Sequence, residues 1–145
     1  MSKPHPNQGS TPLDVLNQRM AALQAGDFAA IYHSTHPESF FRQQFPSLEE
    51  YLRFSDEMLA GGQSQIKFCT FLQQRVTESE ALVLLHQRTT VGGTSQESLE
   101  LTMLKKSGQE WLYHSSQRVL VEDLAIKPQA MTIDLFAKLL DTVTF

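Results

Sequence analysis

Histidines are the residues of this 145-residue chain whose spacing most directly suggests chemistry. His33 and His36 are three residues apart, and together with His86 or His114 they could form a three-histidine metal site. A second interpretation needs no metal. A histidine in the last turn of a helix interacts favourably with the negative end of the helix dipole, and His36 would cap the corner before Pro37.

Side-chain alternation argues against the metal site. Trp111 and Tyr113 belong to a predicted strand, and if both face the interior, His114 faces outward. The chain has one cysteine, Cys69, which excludes an intramolecular disulfide and a cysteine-based zinc cluster. We treat Cys69 as a small apolar residue. We therefore expect no metal, and the sequence indicates no cofactor.

Acid–base catalysis would need a carboxylate or a histidine that points into a pocket with a raised pKa. Glu100 lies between two leucines, so alternation predicts that it faces away from them, and Asp27 is better explained as a helix cap. Arg88 and Arg118 are also predicted on the outward side. A histidine beside a tyrosine could still transfer a proton. The residues that we expect to line a pocket are Tyr32, His33, His36, Phe40, His86, Trp111 and Tyr113.

Two functions compete for such a pocket. In the first, the chain is a small-molecule or protein binding module whose pocket is small or closed by aromatic side chains. In the second, it is a cofactor-free lyase or isomerase, with His33, His36 or His86 beside a tyrosine in an open pocket. We prefer the binding module, with a small apolar ligand.

The elements that would position these residues begin with two helices that meet at Gly26 and Asp27. Apolar residues before this corner recur at intervals of three and four, the period of a helix with one buried face. Gly26 can adopt the left-handed conformation that ends a helix, and Asp27 can cap the next one. Because Thr11 is a suitable N-cap, we predict helices over residues 12–25 and 27–34.

A third helix and a C-terminal helix are also predicted. Ser47 and Glu50 have the spacing of a capping box, and Gly61 and Gly62 would end the helix that it begins. Residues 132–143 have the pattern of an amphipathic helix. A short segment before the third helix holds three aromatic residues that we expect to be buried: Phe40, Phe41 and Phe45.

From residue 64 onward the apolar period changes to 2, which indicates strands. Four are predicted, around residues 66–72, 81–91, 99–103 and 111–113. The breaks between them are short and contain turn formers, so neighbouring strands should pair as antiparallel hairpins. Helices followed by a sequential antiparallel sheet predict an α+β fold whose sheet curls around the helices.

This order of elements resembles the nuclear transport factor 2-like superfamily, whose fold is a cone-shaped α+β roll. Within it, the chain resembles the middle domain of YchJ-type bacterial proteins over about residues 13–118. That domain has an arginine before the corner aspartate, a His-Pro pair after it, and a Leu-Lys-x-x-Gly-Gln-x-Trp-x-Tyr hairpin. The matching residues are Arg19, Asp27, His36, Pro37, Leu104, Lys105, Gly108, Gln109, Trp111 and Tyr113. The resemblance implies a fold and no particular activity, because this fold hosts enzymes, binding modules and transport adaptors.

The chain departs from the YchJ-type pattern in two ways. Those proteins usually carry cysteine-rich zinc motifs on either side of the domain, and neither motif occurs here, so their role is not carried over. Thr35 stands where a tryptophan commonly precedes the His-Pro pair, which changes the wall of any cavity nearby.

Composition sets further bounds. An apolar content of 41% with 19% charged residues is typical of one soluble globular domain. The net charge of -4 without a basic block argues against nucleic acid as a partner. The longest apolar run is about five residues, against roughly 20 for a membrane span. No signal peptide is recognisable at the N-terminus, so we expect the protein in the cytoplasm.

We divide the chain into three parts. Residues 1–10 carry almost no apolar surface and are predicted to be a disordered tail. Residues 11–122 form the nuclear transport factor 2-like domain. Residues 123–145 form a C-terminal helical extension.

The second predicted strand gives a further expectation, because residues 81–85 are apolar on both faces. Phe71 has the opposite parity to Phe68 and Leu72, so it would face away from the helices if those two face them. An open apolar patch of this kind is unusual on a soluble monomer. We therefore predict a homodimer through the sheet. The alternative cover is the helix at 132–143, either folded back on its own chain or reaching across to a partner.

Overall fold

The computed structural model describes residues 10–60 and 64–142. Most of the predicted tail and the Gly61–Gly62 helix stop lie outside these residues. Within them the fold is α+β, a cone-like roll of N-terminal helices, a curved antiparallel sheet and a C-terminal helix, as predicted. The elements are α1 Pro12–Ala25, α2 Phe28–His33, α3 Phe40–Gln44, α4 Leu48–Ala60, β1 Ser64–Val76, β2 Glu80–Val91, β3 Thr94–Ser107, β4 Glu110–Leu120 and α5 Ile133–Thr142.

The caps form where the sequence places them. The Thr11 hydroxyl accepts a hydrogen bond from the Asp14 N–H, and the Asp14 carboxylate accepts one from the Thr11 N–H. Gly26 ends α1 with a φ of 72° in the left-handed region. The Asp27 carboxylate accepts a hydrogen bond from the Ala30 N–H at 3.2 Å. The corner between α1 and α2 is therefore confirmed.

Helix α3 was not predicted. The Ser39 hydroxyl caps it by accepting a hydrogen bond from the Arg42 N–H, which lets a five-residue helix form between two prolines. Phe41 and Phe45 pack against Tyr51 of α4. Phe40 is 74% exposed, so the expectation that all three phenylalanines are buried is wrong. Adjacent residues of a helix point in directions about 100° apart, so when Phe41 packs against the core, Phe40 points away from it.

The strands form an antiparallel meander in the order β1-β2-β3-β4, as predicted. The pairing of β3 with β4 has a register shift opposite Met103 and Leu104, which are paired with Ser115 and Tyr113. His114 is therefore the extra residue of a β-bulge. A bulge of this kind changes which side chains of a strand share a face, and here it does so beside a cavity.

The two faces of the sheet are covered by different helices. The inner face carries Val83, Leu85 and Leu104, which pack with Val15 and Leu16 of α1. This packing explains why the residues of β2 that point to the inner face are apolar in this part of the strand.

The outer face carries Leu84 and Leu99, which pack with Ile133 and Phe136 of α5. The two-sided apolar run of β2 is thus covered within one chain. Phe71 packs on the inner face, and Leu72 joins the outer cluster. The sequence predicted that Leu72 faces the N-terminal helices and Phe71 faces away from them, and the structure shows the reverse. The face that carries Leu72 is covered by α5 rather than by the N-terminal helices.

Across the part of the chain that the structure describes, no helix has the length and apolar character needed to cross a membrane.

Candidate functional site

A cavity of about 300 Å³ lies between the N-terminal helices and the inner face of the sheet. Its helical wall is mostly apolar and is made by Leu16, Met20 and Leu23 of α1 and Ile31 of α2. These residues lie at the three- and four-residue spacing that directs one face of α1 toward the sheet. The volume is at the lower end of the range of about 300 to 1,000 Å³ for small-molecule sites.

The floor of the cavity is polar, because the inner face of the sheet changes character along the strands. Beyond the apolar cluster under α1, β2 presents Gln87 and Thr89, and β3 presents Glu100 and Thr102. Arg118 of β4 completes this floor. An apolar wall opposite a polar floor suits a ligand with one apolar side and one polar side.

Arg19 is the charged residue of the helical wall. Its Nη1 donates hydrogen bonds to the Ser34 hydroxyl at 2.6 Å, the Thr35 hydroxyl at 3.1 Å and the Ile31 carbonyl oxygen at 3.1 Å. The guanidinium carbon lies 4.2 Å from the centroid of the Tyr113 ring. Burial lowers the pKa of Arg19, yet a guanidinium stays charged at neutral pH. Arg19 therefore ties α1 to the end of α2 and to β4.

Tyr113 is fixed from several directions. Its N–H donates to the Ser34 carbonyl at 2.9 Å, and its carbonyl accepts from the His36 N–H at 2.7 Å. Its hydroxyl and the Ser116 hydroxyl are 2.6 Å apart. Burial raises the pKa of Tyr113 and, in the same wall, of Tyr51. Both phenols are therefore neutral at physiological pH and act as hydrogen-bonding groups rather than as bases.

Thr102 is the unusual residue of the floor. It is fully buried and lines the cavity, and its hydroxyl oxygen has no hydrogen-bond partner among the described residues. It is paired with Ser116 across β3 and β4. Buried hydroxyls are nearly always satisfied, so the Thr102 hydroxyl is a group of the cavity lining that can still make a hydrogen bond.

Glu100 and Arg118 are neighbours across β3 and β4, with 3.3 Å between Arg118 Nη2 and Glu100 Oε1. Both line the cavity. The predicted orientation of Glu100 away from its flanking leucines is confirmed, whereas the outward placement predicted for Arg118 is wrong. For Glu100, the leucines that flank it point to the outer face, where Leu99 packs in the α5 cluster and Leu101 packs against it. For Arg118, the bulge at His114 shifts the alternation and brings Tyr113 and Arg118 to the same face.

Of the residues predicted to line a pocket, Tyr113 lines this cavity. Tyr32 is buried among the aromatic side chains of α2, α3 and α4, and its hydroxyl donates to the Phe45 carbonyl at 3.0 Å. His33 and Phe40 are exposed. Trp111 is buried in the apolar cluster of α1 and the sheet. These four are therefore placed away from the cavity lining.

The two remaining histidine candidates are also outside the lining. His36 is buried, and its Nδ1 accepts a hydrogen bond from the Glu38 N–H at 3.1 Å. His86 is adjacent to Gln87 in β2 and so points to the outer face, where its Nε2 lies 3.2 Å from Glu97 Oε2. Arg88 also bonds Glu97, and these two partners lower the pKa of Glu97.

The histidines do not converge on a metal site within residues 10–60 and 64–142. The rings of His36 and His114 are 5.8 Å apart, whereas His86 contacts Glu97 and Phe68 instead. The described residues hold no group of three or more histidine, cysteine or acidic side chains with metal-binding geometry. Cys69 packs against the inner apolar cluster, and burial raises the pKa of its thiol to about 11.

Sequence reasoning missed the polar residues that define the floor of the cavity. Arg19 was noted only as part of a motif, and Gln87, Glu100, Thr102 and Arg118 were not named as pocket residues. One signal was available in the sequence of β2. The residues that share the inner face are apolar at the start of the strand and then polar at Gln87 and Thr89, so this face of the sheet becomes polar at one end.

The sequence matches no protein-family model and no curated protein. The structure is similar to the solution structure of a SEC-C motif-containing protein from Rhodopseudomonas palustris, with a TM-score of 0.59 and 21% identity. The similarity covers 75% of this chain and 79% of the other. At this identity the similarity supports the fold alone.

This comparison corrects the family suggested by the sequence. The sequence suggested the nuclear transport factor 2-like superfamily, through a resemblance to YchJ-type proteins, and this assignment is wrong. The similar structure belongs to a SEC-C motif protein, and similarity to a SEC-C motif protein does not make the chain a member of the nuclear transport factor 2-like superfamily. The motif residues have structural roles that explain their spacing without membership of that superfamily. Arg19 bridges secondary-structure elements, Asp27 caps a helix, and Tyr113 packs against Arg19 from the last strand.

Proposed function

We propose that this protein is a small-molecule binding module whose ligand occupies the cavity between α1 and the inner face of the sheet. The single observation that carries the proposal is that Thr102, a residue of the cavity lining, has a fully buried hydroxyl without a hydrogen-bond partner among the described residues. Leaving a buried hydroxyl unpaired costs about 1 to 3 kcal/mol. A bound ligand that supplies a donor or acceptor would remove that cost.

Binding is supported over catalysis by the kinds of residue in the cavity wall. A cofactor-free lyase or isomerase would use a histidine beside a tyrosine, and none of His33, His36 and His86 contributes to the described lining. Burial raises the pKa of Tyr51 and Tyr113, which makes both poor bases at neutral pH. We therefore place no catalytic step in this cavity.

The proposal is tested by a titration with 3-phenylpropanol, a neutral compound with one apolar and one polar end, followed by backbone amide NMR. We expect shifts at Met20, Thr102 and Tyr113 around the cavity, and none at Arg88 and Phe136 on the outer face. The shifts should saturate at millimolar concentration or below.

A pair of tryptophan variants on α1 controls for binding elsewhere. Met20→Trp places an indole in the cavity wall and should abolish the shifts, while Gln18→Trp changes an exposed position of the same helix and should preserve them. Shifts that persist in Met20→Trp would refute binding in this cavity, and so would the absence of saturable shifts at the cavity residues with 3-phenylpropanol and with its acid and amide analogues.

A further inference from the structure

We infer that the ligand class is a small amphipathic monoanion, of which a monocarboxylic acid is the simplest example, with its anionic group near Arg19, Tyr113 and Thr102 and its apolar part against α1. This inference rests on the proposed function, because it specifies the chemistry of the ligand in the same cavity.

The first argument is the charge of Arg19. Within the described residues its hydrogen-bond partners are neutral oxygens, and it takes part in no ion pair there. All of these hydrogen bonds come from Nη1, so Nε and Nη2 carry three further N–H donors. A partly buried guanidinium is normally paired with an anion, and this one lines a cavity. The Glu100 carboxylate acts on Arg19 through its charge without bonding it, so a carboxylate in the cavity would supply the directly bonded counter-charge through two parallel hydrogen bonds.

The second argument is the arrangement of hydroxyls next to Arg19. Its guanidinium lies over the Tyr113 ring, the Tyr113 hydroxyl bonds Ser116, and Ser116 is paired with Thr102 across the strands. The unpartnered Thr102 hydroxyl is thus two neighbours away from the guanidinium on one face of the sheet. Arg19, Tyr113 and Thr102 all line the same cavity, and a charged donor together with hydroxyl groups can bind the oxygen atoms of one anion.

The third argument sets the charge and size of the ligand. Three formal charges line the cavity: Arg19, Arg118 and Glu100, which pairs with Arg118. One positive charge is left over, so a monoanion balances the site and a dianion such as a phosphate monoester does not. The apolar wall of Leu16, Met20 and Leu23 would contact the rest of the molecule.

The test compares three ligands with the same carbon skeleton by calorimetry and by the amide shifts described above: 3-phenylpropanoate, 3-phenylpropanamide and 3-phenylpropanol. We expect the acid to bind at least about tenfold more tightly than the amide, since hydrogen bonds between charged partners are roughly twice as strong as neutral ones. Inorganic phosphate is titrated separately and should bind more weakly than the acid.

Two pairs of variants locate the anionic group. Arg19→Gln should remove the preference for the acid, and Arg88→Gln, which changes an arginine on the outer face, should keep it. Thr102→Val should weaken binding of the acid severalfold, while Ser98→Ala, which removes a buried unpartnered hydroxyl outside the described lining, should not. The comparison of acid with amide needs only the unaltered protein, so it stands even if Arg19→Gln does not fold.

The outcomes separate the two proposals. Equal affinities for acid and amide at the cavity residues would overturn the monoanion and leave the binding module intact. Tighter binding of phosphate than of the acid would also overturn the monocarboxylate. If none of the three phenylpropyl compounds shifts the cavity residues, the binding module itself fails.

Discussion

The Arg19 guanidinium lies 4.2 Å from the centroid of the Tyr113 ring, and this contact joins the first helix to the last strand. The same guanidinium bonds Ser34 and Thr35, and the residues on either side of Thr35 bond the backbone of Tyr113. These contacts form a ring that runs from α1 through the end of α2 to β4. These contacts fix the position of Arg19 at one end of the cavity.

Replacing Arg19 with methionine should destabilise the protein by at least about 2 kcal/mol, because it removes hydrogen bonds to a charged group and each contributes about 1.5 to 3 kcal/mol. Urea denaturation measures the change. The control is Arg75→Met, which removes an exposed ion pair with Asp134 and should cost less than about 1 kcal/mol. Equal losses in the two variants would contradict the structural role of Arg19.

Replacing Gly26 with valine should cost about 1 to 2 kcal/mol or more, because its φ of 72° is unfavourable for a β-branched residue. Among the described residues, no atom outside the adjoining backbone lies within 4 Å of the position of an added Cβ, so the cost comes from the backbone rather than from a clash. Gly26→Asn should cost less, since asparagine tolerates this conformation better. Thermal melts compare the two variants, and a valine variant that melts with the parent protein would show the corner to be misinterpreted.

Phe136 should be the main anchor of α5. It is fully buried against the outer face of the sheet, so Phe136→Ala should lower stability by about 3 to 5 kcal/mol. Leu135 precedes it and is 44% exposed, and Leu135→Ala should cost less than about 1 kcal/mol. Chemical denaturation of both variants is the measurement, and similar values would mean that α5 does not pack on this face.

Dimerisation through the sheet stays a prediction, with a changed physical basis. Helices α1 and α5 cover both faces of β2 within one chain, so the outer face becomes available only when α5 is displaced. A chain that ends at Lys127 exposes the Leu84 and Leu99 cluster and should associate more strongly than the full chain. Light scattering decides whether the full chain itself has twice its mass of 16.4 kDa. Equal association of the two chains would argue against a role for this face.

Cys69 should react slowly with thiol reagents. Burial raises its pKa from 9.0 to about 11, so between neutral pH and pH 8 the thiolate fraction is about a hundredfold smaller than in an unfolded chain. We expect alkylation by iodoacetamide at pH 8 to be about a hundredfold slower in the folded protein than in urea. The rate should rise as the pH approaches 11. Equal rates in the folded and unfolded protein would contradict the burial of the thiol.

Local signals in the sequence were enough to predict most of the secondary structure. The Thr11 cap, the Gly26–Asp27 corner and the change of period near residue 64 act over a few residues, so they can be read without knowing what packs against them. The short α3 was missed because its existence depends on the contacts of Phe41 and Phe45 with Tyr51, a residue of another helix.

Only the tertiary structure decided which face of each strand meets which helix. The alternation of Leu99, Glu100 and Leu101 is visible in the sequence, but α5 takes the leucine side, which leaves Glu100 to the cavity. The bulge at His114 likewise depends on pairing with β3, and it brings Tyr113 and Arg118 to one face. The alternation along a strand divides its side chains into two sets, one for each face of the sheet. Which set faces the cavity and which faces outward depends on the helices that cover each face.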